Sequence, residues 1–258
     1  DGNYPVGTGN VALGNTALDS VEAGGTYNVA LGDAAGTAIT TGDGNVGVGA
    51  DALLLNSSGG YNTALGTSSV RNNTTGNYNV GLGQGALYSN TTASNNTAVG
   101  YQALFDNTTA ERNTAVGRLA AANTTTGADN TAMGSAALTT NTTGATNIAI
   151  GASALRLNTT ASNNTAVGFE AGYANTGDKN TFVGNEAGVA NTSGRLNTML
   201  GRRAGKSNTT ASSNTFVGQA SGETNTTGQY NTALGDQSLQ SNTTASRNTA
   251  VGYQALYS

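Results

Sequence analysis

The chain has no cysteine, no histidine and no tryptophan, and one proline, in 258 residues. Without cysteine there are no disulfides and no thiolate metal sites; without histidine there is no imidazole ligand and no Ser-His-Asp triad. Charge is scarce as well. Ten Lys and Arg against 14 Asp and Glu leave a net charge of −4, and charged residues are 9% of the chain, against about 25% in an average globular protein. So small and dispersed a charge gives no electrostatic hold on nucleic acid or an anionic membrane surface. No run approaches the roughly 18 apolar residues of a membrane-spanning helix, and Asp1 opens no signal-peptide pattern. No cofactor, metal ion, nucleic acid or membrane insertion is expected. Carboxylates are scattered, so no glycosidase pair stands out. Asp43 in Gly42-Asp43-Gly44-Asn45 lacks the further acidic ligands of a calcium loop and reads as a turn. Gly-Val-Gly at 47–49 and Gly-Leu-Gly at 81–83 open no helix and are no phosphate loops. The chain is expected not to be an enzyme.

What the chain has instead is a period. Asn-Thr-Ala-Val-Gly and close variants recur 15 times, beginning at Asn10, Asn28 and Asn45 and ending at Asn248; of the 14 spacings one is 18, one is 16 and 12 are 17. A fixed short period is the mark of a solenoid, in which each repeat is one coil stacked on the next. The expectation is one all-β repeat domain over residues 1–258, a parallel β-solenoid or β-roll of about 15 coils. Stacked at about 4.8 Å, they would make a rod roughly 70 Å long. Asp1 and Ser258 fall outside whole coils, which reads as a segment of a longer fibre protein.

Numbering each repeat from its Asn assigns a role to each position. Positions 2 and 4 carry β-favouring residues two apart, on one strand face. Position 5 is Gly in all 15 copies, as a bend would require. Positions 6–10 suggest a second short strand, and Asn-Thr-Thr-Gly runs at positions 12–15 a return corner. In-register stacking then predicts ladders of like residues: Asn96, Asn113 and Asn130 bonded along the axis, Val99, Val116 and Met133 in an apolar row, and Gly100, Gly117 and Gly134 at the bend. Turn chemistry explains the corner asparagines. As sequons, Asn56, Asn90, Asn107, Asn141, Asn158, Asn191, Asn208, Asn225 and Asn242 are also formal glycan acceptors.

Position 3 lies on the opposite strand face and is small or apolar in every copy, with Phe182, Met199 and Phe216 in the later coils. A strand apolar on both faces is normally covered on both. With positions 2 and 4 lining the coil, position 3 calls for a neighbour, so Phe182, Met199 and Phe216 are the expected subunit interface. A homotrimer, or end-to-end filament growth, would supply the cover.

Asn-Thr-Ala-Val-Gly-Tyr-Gln-Ala-Leu at 96–104 and again at 248–256 resembles repeats of phage tail-fibre and bacterial surface proteins. The unit is also similar to the head repeat of trimeric autotransporter adhesins, although its period is longer. The resemblance implies a left-handed β-roll in a homotrimeric fibre, outside the cell on a virion or cell surface, that presents a region binding a host glycan or surface protein. A second expectation comes from the residues alone: threonine pairs at positions 13 and 14, such as Thr91-Thr92 and Thr159-Thr160, could form the ranks of an ice-binding solenoid.

Overall fold

The computed structural model describes residues 7–22 and 24–257. It shows an all-β parallel solenoid of about 14 turns with repeats of about 17 residues and no helix among the described residues. The chain forms two compact units, Asp1–Asp129 and Asn130–Ser258. In the first unit β1 to β7 are Val11–Leu13, Val29–Leu31, Val46–Val48, Thr63–Leu65, Val80–Leu82, Thr97–Val99 and Thr114–Val116. In the second, β8 to β15 are Thr131–Met133, Ile148–Ile150, Thr165–Val167, Thr181–Val183, Thr198–Leu200, Thr215–Val217, Thr232–Leu234 and Thr249–Val251. Within each unit successive strands pair in parallel with like residues abreast: Thr97 beside Thr114, Val99 beside Val116, and Met133 beside Ile150.

Each coil therefore has one strand, of three residues at positions 2–4. The second strand expected at positions 6–10 does not form. Positions 7 and 9 both take left-handed backbone, as at Gln102 (φ 52°) and Leu104 (φ 50°), so the segment folds into successive tight turns instead of extending. Its amides bond back to position 5 and across to adjacent coils, as in Ala103 N–H to Gly100 O at 3.3 Å and Leu104 N–H to Ala120 O at 3.0 Å. Position 17 is left-handed too, at Tyr61, Asn95 and Arg112 among others. L-residues other than Gly, Asn and Asp seldom adopt this conformation. Here each such residue is held by hydrogen bonds repeated in coil after coil.

At position 5 the glycine is compulsory for two reasons. Gly100, Gly117 and Gly134 have φ of 129°, 136° and 137°, and the stacked bends nearly touch. A Cβ on Gly100 would lie 2.6 Å from Gly117 O, and one on Gly134 would lie 2.6 Å from Gly151 O.

The interior reverses the expected sidedness of the strand. Position 3 points into its own coil: Ala98, Ala115, Phe182, Met199 and Phe216 are all fully buried within a single chain. Positions 2 and 4 point outward, partly or well exposed, with Val99 and Val116 half-buried and Met133 42% exposed. Phe182, Met199 and Phe216 are thus core residues and not a subunit interface. The apolar row of Val99, Val116 and Met133 exists, but on the outside.

Volume exchange explains the aromatics. Several coils with Ala at position 3 have a buried Leu at position 9, as at Leu104, Leu138 and Leu155. Where position 3 is Phe182, Met199 or Phe216, position 9 is Gly188, Gly205 or Gly222, and a Cβ on Gly222 would come within 2.7 Å of the Phe216 ring. No coil has a large side chain at both positions, because its cross-section is narrow and interiors pack without spare volume. The first two coils fill the corner with Val21 and Ile39, which cluster with Ala17, Leu18, Ala30 and Ala35.

Candidate functional surface

Two columns of buried asparagine close the return corner. At position 1, each Oδ1 accepts the backbone N–H of the next coil's Asn: Asn113 N–H to Asn96 Oδ1 at 2.9 Å, and Asn147 N–H to Asn130 Oδ1 at 2.9 Å. Its Nδ2 donates to the position-15 carbonyl, as Asn96 to Ala110 O, Asn113 to Gly127 O and Asn130 to Gly144 O at 2.9–3.0 Å. At position 12, Nδ2 of most asparagines donates twice, to that same carbonyl and to the Oδ1 one coil before; Asn90 reaches Ala93 O at 3.0 Å and Asn73 Oδ1 at 2.7 Å. A buried amide left unpaired costs about 1–3 kcal/mol, so these bonds specify the coil register. The asparagines are scaffold.

The position-12 column breaks at Thr124. Asn107 Oδ1 and the Thr124 hydroxyl are both buried without a partner, because threonine has no amide to reach back with. Thr124→Asn would restore a donor to both Asn107 Oδ1 and the position-15 carbonyl of its coil. We expect a gain of about 1 kcal/mol or more, read as a higher denaturation midpoint. A second orphan, Asn158 Oδ1, sits beside the 16-residue coil. There the shortened return loop turns Asn175 Nδ2 to Gly177 O at 2.8 Å.

Of the sequon asparagines, Asn56, Asn90, Asn107, Asn141, Asn158, Asn191, Asn208 and Asn225 are fully buried, and Asn242 partly so. Their side-chain amides are engaged, so they accept no glycan in the folded chain. Asp43 is a turn residue: its Oδ1 accepts the Thr26 amide at 2.7 Å and the Thr26 hydroxyl at 2.8 Å. The position-13 hydroxyls are also committed, Thr74 to Thr91 O and Thr91 to Thr108 O at 3.0 Å each. Position 14 stays exposed.

Charges lie on the corners. Asp129 pairs with Arg112 at 2.7 Å, a hydrogen bond that draws its carboxyl below the ordinary range, and Lys206 with Arg203 does the same for Glu186. Partial burial raises Asp106. Exposed pairs of this kind contribute little. Among the described residues no three metal-ligating side chains come together. A cavity of about 180 Å³ bounded by Leu239, Asn242, Ala245, Asn248 and Leu256 is the interior of the last coil and no ligand cleft.

The surface that remains is the outward strand face. Positions 2 and 4 are Thr, Val, Ile, Leu or Met in all 15 strands, with no charged residue among them. In the first unit position 4 is aliphatic in all seven strands and position 2 is Val in four and Thr in three, at Thr63, Thr97 and Thr114; over seven strands the row runs about 29 Å. In the second unit position 2 becomes threonine in seven of eight strands. Solvent-facing strands normally carry charges, and this stripe carries none. Sequence reasoning had the face reversed; the signal that would have shown it is the exchange of bulk between positions 3 and 9.

The fold and this surface define a parallel β-solenoid repeat protein. Comparison with protein families, curated proteins and solved structures finds no match to the chain.

Proposed function

We propose that this chain is a structural, non-catalytic shaft segment of a surface fibre, whose copies pack strand face against strand face. The observation that carries the reading is the outward face: two uncharged positions in each of 15 strands. A second copy of the chain is the partner that matches it, because only an equally periodic surface can meet every coil in register. The homotrimer, the left hand, and placement outside the cell on a virion or cell surface follow from the resemblance to fibre and adhesin repeats. In that setting the shaft projects a region that binds a host glycan or surface protein.

Solution mass tests the proposal. The chain is expected to sediment as a trimer at micromolar concentration, and Val99→Lys with Val116→Lys to yield monomers with an unchanged circular dichroism spectrum. A well-folded monomeric parent would remove the shaft reading.

A second reading rests on the same face of the second unit. Thr165, Thr181, Thr198, Thr215, Thr232 and Thr249 form an unbroken outward rank beside an aliphatic one. Most position-13 threonine hydroxyls, among them Thr74 and Thr91, are spent between coils and do not form such a rank. Regular hydroxyls and methyls on a flat uncharged face suit an ice surface. Absence of thermal hysteresis in the purified chain would exclude this reading.

A further inference from the structure

We infer that this fold cannot be reached by a chain whose sequons are glycosylated, and that the native protein is therefore made where N-linked glycan transfer does not act on it. Ten position-12 asparagines are followed by Thr or Ser two residues on, among them Asn56, Asn73 and Asn90. Nine of the ten are fully buried. In N-glycosylation the side-chain amide nitrogen bonds to the anomeric carbon of an oligosaccharide, a lipid-linked diphosphate leaves, and the nitrogen gives up one proton. At eight of the ten, all but Asn56 and Asn141, both protons on that nitrogen are in use. Asn73 Nδ2 donates to Asn56 Oδ1 at 2.6 Å and Gly76 O at 2.9 Å, and Asn208 Nδ2 to Asn191 Oδ1 at 2.7 Å and Ala211 O at 3.1 Å. A glycan there removes one bond and places a bulky polar group in an interior with no room for it. Transfer usually meets the chain before it folds, so later burial gives no protection.

The four other sequons differ. Asn95, Asn123 and Asn163 are exposed and Asn72 is partly buried, with none of them in the position-12 column, so glycans at the three exposed sites are compatible with the coil. The threonines that complete the position-12 sequons are themselves exposed at position 14, as at Thr75, Thr92 and Thr109. Thr92→Ala and its counterparts therefore erase the sequons without touching the buried asparagines.

The test expresses the chain behind a secretory leader in a eukaryotic cell and, without a leader, in bacterial cytosol. The expected result is a secretory product glycosylated at position 12 that lacks the solenoid's β spectrum and protease resistance, beside a folded cytosolic product. The variant with every position-14 Thr and Ser of these sequons changed to Ala should fold in both hosts and carry glycans only at the outer sequons. A secretory parent that is glycosylated at position 12 and folds like the bacterial material would overturn the inference. So would a parent that folds in the secretory pathway with its position-12 sequons unmodified.

Discussion

Gly100→Ala is expected to cost about 4 kcal/mol or more and to disrupt cooperative folding of the first unit. The added Cβ would sit 2.6 Å from the Gly117 carbonyl oxygen and 2.7 Å from its carbon. Both are backbone atoms fixed by the ladder, so the two coils must move apart and break bonds such as Gly117 N–H to Val99 O at 2.8 Å. Losses this large come from a short list of causes, and forced separation of packed backbone is among them. Gly252→Ala supplies the comparison. Its φ of 121° is similarly strained, yet a Cβ there meets nothing within 4 Å, so it should cost only the conformational penalty of about 1–3 kcal/mol. Chemical denaturation of both variants separates close approach from backbone conformation. Equal losses would show that contact between bends is not what demands the glycine.

Phe182→Ala should destabilise the second unit by about 3–5 kcal/mol, the usual cost of emptying an aromatic site in a packed core. The more telling variant adds Gly188→Leu. Several coils with Ala at position 3 carry a buried Leu at position 9 in left-handed backbone, as Leu155 does at φ 49°, and Gly188 already has φ 57°. The double variant should therefore recover about 2 kcal/mol of the loss. Gly188→Leu alone should be damaging, because its side chain would overlap the Phe182 ring. That pattern of two harmful single changes and a milder double change is read from denaturation midpoints. Additive losses would mean that the two positions do not share one space.

Much of the fold was legible in the sequence, because a solenoid writes its geometry into a period. The strand at positions 2–4, the glycine bend at Gly100, Gly117 and Gly134, and the axial bonding of Asn96, Asn113 and Asn130 all follow from repetition and residue chemistry. Two features were misread, each for a physical reason. The left-handed backbone at Gln102 and Leu104 is carried by residues with no preference for it, so composition suggested a strand where turns form. The sidedness of β6 was misread because Val99 is larger than Ala98, and the larger residue was assigned to the interior. The interior is too narrow for that when Leu104 already fills it. Phe182 looked like an outward anomaly until Gly188 is set beside it. Phe182, Met199 and Phe216, expected at a subunit interface, consequently lie in the interior.

The asparagine columns have one more consequence. In every bonded pair the amide oxygen of one coil faces the next coil toward the C-terminus, from Asn28 Oδ1 with Asn45 to Asn225 Oδ1 with Asn242. Aligned amide dipoles add, as they do along a helix. The threonine hydroxyls of position 13 run the opposite way, Thr74 toward Thr91 and Thr209 toward Thr226, and offset part of the sum. With two amide columns against one hydroxyl column, the side-chain bonds of each unbroken run keep a net direction along the axis. Thr124 and the short coil at Asn175 are then points where the position-12 column is interrupted, and a stack of near-identical coils acquires a direction that its net charge does not show.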